Sequence, residues 1–404
     1  MTSDIYTVFV PYCDVHQFLS SIPHIKKFPY IGIFDHDFRY TYITWSNDEP
    51  QYTAPNRDVF SITKTESYIS HIVIVPYHQK KSFYIPTKGS ILLNHQTKTA
   101  SITGTKEFHA SFVDIKDDHP RTVYFPENKS QNIPIPKQER TQFKERIRYL
   151  LQEIKEGNLY QCNLSWRTPF FTITHSLETY IRLRSTNPSR FGCWIKNKDH
   201  SYISNSPEQF LHIKPKKDQI LIQSTPIKGT RSTNLAWKNR EELWFCTKEI
   251  AELTMIVDMV RNDFGRFCIP GTIIPSHRKI RRCGDLYHAE QIIRGIGEAT
   301  SLETILKATF PAASITGTPK LTAQKYISQL ETYPRELYTG SLGWIQSSGE
   351  THLNVAIRTI EVFDDTGFFH VGCGIVSDSD PTKEWEESIA KSLAIMKALG
   401  KIWI

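Results

Sequence analysis

KEIAELTMIVDMVRNDFGR, residues 248–266, ends a helical stretch expected over about 237–263. Taken alone, Glu252 is a charge on a helix surface, while Asp258 and Asp263 suit an ordinary ion pair or a contact at the helix C-terminus. Glu252 gains a second meaning only if other carboxylates converge on it. Outward from this stretch, strand-like runs occupy 160–170, 191–205 and 209–225 on one side, and 340–346, 352–362 and 368–376 on the other. Helices are expected at 302–309 and at 319–331, the latter with Pro319 in its first turn. A final helix runs from Pro381 to Leu399, with Asp380 as N-cap and Gly400 as its stop. Another covers Phe143, Ile147, Leu150, Leu151 and Ile154 at helical spacing and ends at Gly157. Together these elements predict an α+β fold, with large mixed or antiparallel sheets packed as a sandwich and helices on the outside.

Before about residue 125 the chain reads as short β-type runs (YTVFVPY, HIVIVPY, SFYIP, SILLN, KTASIT) separated by polar breaks. The stretch His119–Lys137 has Pro, Asn, Ser and Gln without apolar periodicity and is the expected linker. The division that follows is a variable β-rich region over 1–125 and a catalytic region over 138–399.

A chain of 404 residues with 39% hydrophobic content is large enough for an extensive core. It has no apolar run of about 18 residues, which argues against a membrane span. Its start, MTSDIYTVFVPYCD, lacks a basic segment and a cleavable apolar stretch, so no signal peptide is expected. Seven cysteines without C-x-x-C spacing suit free thiols in a reducing compartment, and a cytoplasmic location is expected. The formal charge of +7 is spread in pairs such as Lys26-Lys27, Lys80-Lys81 and Arg281-Arg282, which reads as solvated surface rather than a nucleic-acid footprint.

Chemistry enters with Pro226-Ile-Lys-Gly-Thr230, which sets one lysine between a proline and a glycine in an expected short turn. Such a lysine is either solvated or an amine nucleophile. In the last helix, Trp385, Ile389, Leu393 and Met396 form an apolar stripe for the core. Glu384, Glu387 and Lys391 lie on another face. They can be a solvated face with a Glu–Lys pair, or a carboxylate pair for a hard cation such as Mg²⁺ with an ammonium nearby.

Seven motifs in order make the chain resemble the chorismate-utilising enzymes. SPEQF at 206–210 is similar to the family's SPERF, and PIKGT follows at 226–230. Residues 248–266 resemble E-x-x-MIVDLVRNDLGR, and FPAASITGTPK at 310–320 resembles FPGGSITGAPK. LYTGSLGWI at 337–345 and LNVAIRTI at 353–360 match the Y-x-GS-x-G and IRT blocks, and GCGIVSDSD at 372–380 matches GGGIVADS. The resemblance implies that Glu208 is a general acid toward the C4 hydroxyl. It implies Mg²⁺ held by Glu252 and Glu387 with Glu384 close by, and Lys391 near the ring carboxylate. Tyr338 and Arg358 correspond to the pair that grips the enolpyruvyl carboxylate, for which a guanidinium fork is apt. Gly372 and Gly374 would admit backbone N–H groups to that carboxylate, and amides near Gly317 would face bound substrate or metal ligands. Thr230 and His288 are further substrate-binding candidates.

Two positions bear on the branch of the family. Water-adding members carry a lysine base where this chain has Gln161, in LYQCNLSWR, so ammonia addition is implied. Anthranilate synthases usually read PIAGT, whereas aminodeoxychorismate synthases carry the lysine, which makes Lys228 the expected nucleophile. That branch implies amination of chorismate at C4, with ammonia from a separate glutamine amidotransferase subunit. The alternatives are amination at C2 with loss of pyruvate, and a non-catalytic chorismate-binding protein. Departures from the family pattern are His288-Ala-Glu-Gln291 in place of HLVS and Gly317-Thr-Pro-Lys320 in place of GAPK, read as local repacking or as tuning of ammonia handling. Cys162 and Cys373, beside site positions, are expected to be small buried thiols.

Overall fold

Antiparallel strands that are apolar on one face must cover that face, and this chain does so by setting two large sheets against each other. The computed structural model describes residues 5–10, 27–52, 68–77, 82–115, 131–233, 236–283 and 286–404, with Val15, Phe18 and Ile25. Among them, a twelve-stranded sheet has at its centre Tyr30–His36, Phe191–Asn197, His200–Ser206, Thr359–Phe363, Thr366–Ile375 and Gln161–Arg167. An eight-stranded sheet has at its centre Ile293–Glu298, Gln219–Thr225, Gln209–Lys216, Thr351–Asn354, Ser341–Gln346 and Ile69–Val75. Tyr30, Phe34, Ile72, Ile74, Ile195, Leu342 and Trp344 fill part of the space between the sheets. Helices Lys137–Lys155 and Pro381–Ala398 cover the outer face of the larger sheet, and Thr247–Phe264 and Leu302–Thr309 cover the smaller. This is the expected α+β sandwich with external helices. No described helix is long and apolar enough to cross a membrane. The six described cysteines are free thiols.

The strands of the first 125 residues share these sheets. Tyr30–His36 pairs with Phe191–Asn197, and Ile69–Val75 pairs with Ser341–Gln346. The expected linker, 119–137, lies outside the described residues up to 130. Its end is not a linker: Gln131–Ile133 pairs in parallel with Lys401–Trp403, and Lys137 opens a helix.

Three other expectations change. The single helix over 237–263 is two, Ala236–Phe245 and Thr247–Phe264, with Cys246 extended between them. Arg278 ends the first by donating to the carbonyls of Leu243 and Trp244, taking up acceptors that a helix end leaves free. The strand over 352–362 is interrupted between Asn354 and Thr359, where Arg358 adopts φ 52° and its carbonyl accepts from the Asn205 N–H. In the last helix, Leu393 is 52% exposed, while Ser388 and Ser392 are buried beside Trp385, Ile395 and Met396. The reason is polar. Trp166 Nε1 donates to Ser388 Oγ at 3.0 Å and Trp403 Nε1 to Ser392 Oγ at 2.8 Å, so two buried indoles need hydroxyls facing inward.

Replacing Ser388 by alanine leaves the Trp166 N–H buried without an acceptor. Chemical denaturation of Ser388→Ala should show a loss of about 1–3 kcal/mol, and an unchanged midpoint would mean the indole finds another partner.

Candidate active site

The carboxyl of Glu208 sits at the start of strand Gln209–Lys216, 3% exposed, in the wall where the smaller sheet meets helix Thr247–Phe264. It accepts from Ser314 Oγ at 2.5 Å and from the backbone N–H of Ile227. Burial pushes its pKa up to about 7, even though Ser314, Lys228 and the Ile227 amide favour the ionised form. A carboxyl so placed can carry a proton near neutrality.

Lys228 lies beside it, but not in a turn. PIKGT forms part of a strand, Ile227–Ser232, which pairs with Leu286–Glu290 and is interrupted by a bulge at Gly229. Gly229 adopts φ 66°, and a Cβ there would lie 2.5 Å from Leu243 Cδ1 and 2.9 Å from the Glu249 carboxylate. The bulge is therefore why glycine follows the lysine. Lys228 Nζ is 3.9 Å from Glu252 Oε2. From the opposite side, strand Thr366–Ile375 brings Gly374 so close that a Cβ there would be 3.4 Å from Lys228 Nζ and 2.8 Å from Gln161 Nε2. The Gln161 side chain is buried with Oε1 free of any hydrogen-bond partner, an acceptor left for a ligand or water.

Carboxylates gather on the other side of the lysine. Burial raises the pKa of Glu252; Lys228 opposes that shift, and Glu249 and Glu384 add to it. Glu384 is buried and accepts from Ser379 Oγ at 2.7 Å. Glu387 is tilted toward solvent and pairs with Lys391 at 2.8 Å. Burial works to raise its pKa, but Lys391, with help from Lys228, holds it below the usual value. Lys391 also donates to the carbonyl of Gly372 at 3.1 Å. Among the described residues, Glu252, Glu384 and Glu387 do not close as one set within 4.8 Å of one another.

A cationic corner completes the site. Burial lowers the pKa of Arg358, and among the described residues no carboxylate pairs with it. His288 is buried, with Nδ1 3.1 Å from Thr230 Oγ1 and Nε2 without a partner. Burial and the charge of Arg358 lower its pKa to about 3, so the imidazole is neutral. Unpaired guanidinium, neutral imidazole and the Lys391 ammonium together form a place for an anion.

The structure thus brings together Glu208, Lys228, Thr230, Gln161, Glu252, Glu384, Glu387, His288, Arg358, Gly372, Gly374 and Lys391. Two further expected residues, Tyr338 and Gly317, show packing contacts of their own. Tyr338 is buried with its ring stacked on His370 at 5.4 Å and lies 5.6 Å from the Arg335 guanidinium; among the described residues it shares no hydrogen bond or ring contact with Arg358. Gly317 belongs to a two-residue strand paired with Gln161–Cys162, and a Cβ there would be 2.3 Å from the Gln161 carbonyl. Close backbone approach is what this position requires. Ser314 was not legible: it is 106 residues from Glu208, and no spacing links the two. The departures from the family pattern are structural in geometry. Glu290, also buried, pairs with Arg190 and Arg281 at 2.7 Å each, and Thr318 Oγ1 donates to Met259 Sδ at 2.7 Å. Cys162 and Cys373 are buried as expected, and burial pushes the Cys162 thiol up to about 12.

The chain is similar to several known proteins. A family model described as chorismate binding enzyme matches residues 11–397. An anthranilate synthase component I-like protein of Synechocystis is 32% identical over 330 residues, 79% of this chain and 66% of that protein. The aminodeoxychorismate synthase component 1 of Bacillus subtilis is 34% identical over 263 residues, 64% of this chain and 55% of the relative. The matched stretch thus spans between half and two thirds of these relatives. The crystal structure of anthranilate synthase component I from Streptococcus pneumoniae superposes with a TM-score of 0.74 at 20% identity, covering 98% of this chain and 92% of that one.

The Glu208 proton is held more tightly in the folded chain than in the unfolded one. Its contribution to stability is complete below the ordinary value of 4.5 and is lost as pH rises through about 7. Without substrate, Glu208→Gln should lack this dependence, and the wild type should fall by about 3 kcal/mol relative to it between pH 5 and 8. Parallel stability profiles for the two proteins would show that Glu208 ionises freely.

Proposed function

Because this chain belongs to the chorismate-binding enzyme family, we propose that it aminates chorismate at C4, giving 4-amino-4-deoxychorismate, as an aminodeoxychorismate synthase component I. The observation that carries the reading is the pairing of an amine with a protonatable carboxyl. Lys228 Nζ lies between Glu252 and the open face of Gly374, and the Glu208 carboxyl that feels its charge holds a proton near neutrality.

In this reading the ring carboxylate lies toward the carboxylate cluster and Lys391, and the enolpyruvyl carboxylate toward Arg358 and His288. Glu252 and Glu387 would hold Mg²⁺, with Glu384 beside them; burial raises Glu252, and Glu249 and Glu384 add to that shift, a disposition a cation relieves. When bound, the ion supplies charge neutralisation and a fixed orientation for the ring carboxylate. Lys228 attacks C2 as the free amine, the ring double bonds shift, and the C4–O bond breaks as Glu208 delivers its proton to the departing hydroxyl, which leaves as water. Ammonia then bonds to C4, the double bonds return, and the C2–N bond to Lys228 breaks. Gln161 stands where water-adding members carry a base, consistent with ammonia as the second nucleophile. The ammonia would come from a separate glutamine amidotransferase subunit, as the "component I" names of the relatives suggest.

Several relatives are named anthranilate synthase component 1, among them those of Aquifex aeolicus and Saccharolobus solfataricus, at 33% and 32% identity. They keep amination at C2, with loss of pyruvate, as the second reading.

The deciding experiment is product analysis from chorismate, Mg²⁺ and ammonium by chromatography and mass. An aminated product retaining the enolpyruvyl group is expected, and anthranilate with pyruvate would overturn the C4 assignment. Lys228→Ala should abolish the covalent adduct and the product, and undiminished turnover would remove the lysine from the mechanism. Glu208→Gln should lower turnover about 10²–10⁴-fold, and adduct formation by the wild type should decline as pH rises past about 7.

A further inference from the structure

His212, Glu350 and His352 present one ligand atom each, all within 4.8 Å of one another, away from the glutamate cluster. The backbone puts them there. His212 and His352 are direct partners on the adjacent antiparallel strands Gln209–Lys216 and Thr351–Asn354. Glu350 precedes His352 by two residues and so shares its face. The two imidazoles stack at 4.0 Å between centroids and turn both Nε2 atoms toward the same oxygen, Glu350 Oε1, at 2.7 Å for His212 and 3.3 Å for His352. His352 Nδ1 is buried and has no hydrogen-bond partner. His36, from the opposite sheet, packs edge-on against His352 at 4.4 Å, and Trp344 covers it at 4.3 Å.

We propose that His212, Glu350 and His352 form a binding site for a borderline-soft divalent metal ion, Zn²⁺, which pins the hairpin Ser341–Asn354 to strand Gln209–Lys216. Two imidazole nitrogens and one carboxylate are a donor set that zinc accepts, with water as fourth ligand. Bonds of about 2.0–2.1 Å in a tetrahedron separate ligand atoms by about 3.3 Å. The His352–Glu350 distance already matches, and the His212–Glu350 pair needs only a small widening. On binding, each Nε2 gives up its hydrogen bond to the carboxylate and offers its lone pair, with the ring proton on Nδ1. His212 and Glu350 side chains are each 25% exposed, which leaves an entry path and room for the water. His36 and Trp344 close the remaining side. The cluster is four residues along the strand from Glu208, on the order of 13 Å, so the ion is placed to brace the strand that begins at the active site.

The test is calorimetric titration of ZnCl₂ into chelator-treated full chain, with Mg²⁺ in excess to occupy hard-oxygen sites, alongside the visible spectrum of a Co²⁺-loaded sample. One equivalent of Zn²⁺, tetrahedral Co²⁺ bands and a raised melting temperature are expected. His352→Ala and Glu350→Gln should each weaken binding by more than the about 10–100-fold that loss of an outer-shell partner costs, with circular dichroism confirming that the sheets persist. Should His352→Ala fail to fold, His212→Asn serves in its place. Absence of a bound equivalent, or wild-type affinity in Glu350→Gln and the folded histidine variant alike, would overturn the assignment.

Discussion

A buried ion pair holds the frame of the site. Arg335 is 1% exposed and bonds through Nε and Nη2 to the carboxylate of Glu331, four residues away. Its remaining N–H groups donate to the carbonyls of Asn163 and Ile315 and to Thr339 Oγ1, while Glu331 also accepts from the N–H and Oγ of Ser165. One guanidinium–carboxylate pair thereby ties strand Gln161–Arg167, the turn that carries Ser314, the end of helix Lys320–Leu330 and the turn around Tyr338–Gly340. A planar fork with five donors can do this, whereas a lysine could not reach as many acceptors at fixed angles. Such a pair adds little stability over an apolar substitute, but losing one partner strands a buried charge. Its effect is geometric: Ser314 reaches Glu208, and Gln161 reaches Gly374, because these backbones are held in common.

Within that frame, the site uses position in the fold to give similar residues different tasks. Glu208 and Glu387 are both glutamates near Lys228. Burial keeps a proton on the first near neutrality, and the Lys391 ammonium keeps the second ionised. Arg358 has no carboxylate partner among the described residues, whereas Arg190, also near His288, is neutralised by Glu290 and Asp37. The unpaired guanidinium is open to an anionic ligand, and the paired one braces the wall behind it. The glycines act by absence. At Gly372 a Cβ would be 2.2 Å from the Leu164 carbonyl, and at Gly374 it would crowd the Gln161 amide, so side chains there would push the larger sheet away from the lysine.

Local patterns were legible where local physics decides. Asp380 caps the last helix by accepting from the N–H groups of Thr382 and Lys383, and Gly400 ends it at φ 67°. Phe143, Ile147 and Leu150 face the core as their spacing requires. Legibility failed where a distant group intervenes. Leu393 lost its place to Ser392 because Trp403 needs an acceptor. The long helix broke at Cys246 where Arg278 claims its carbonyls. Lys228 lies on a strand because Leu286–Glu290 supplies the edge with which it pairs.

Family, α+β class, helix caps and the residue types of the chemistry can be read along the chain, because motif order and helix ends are properties of neighbouring residues. Only the folded arrangement settles which carboxyl holds a proton, which arginine is left without a carboxylate partner among the described residues, that Ser314 serves Glu208, and that Tyr338 stacks on His370. Those outcomes depend on burial and on distances between residues far apart in the chain. Both arise only when the two sheets close on each other and exclude water between them.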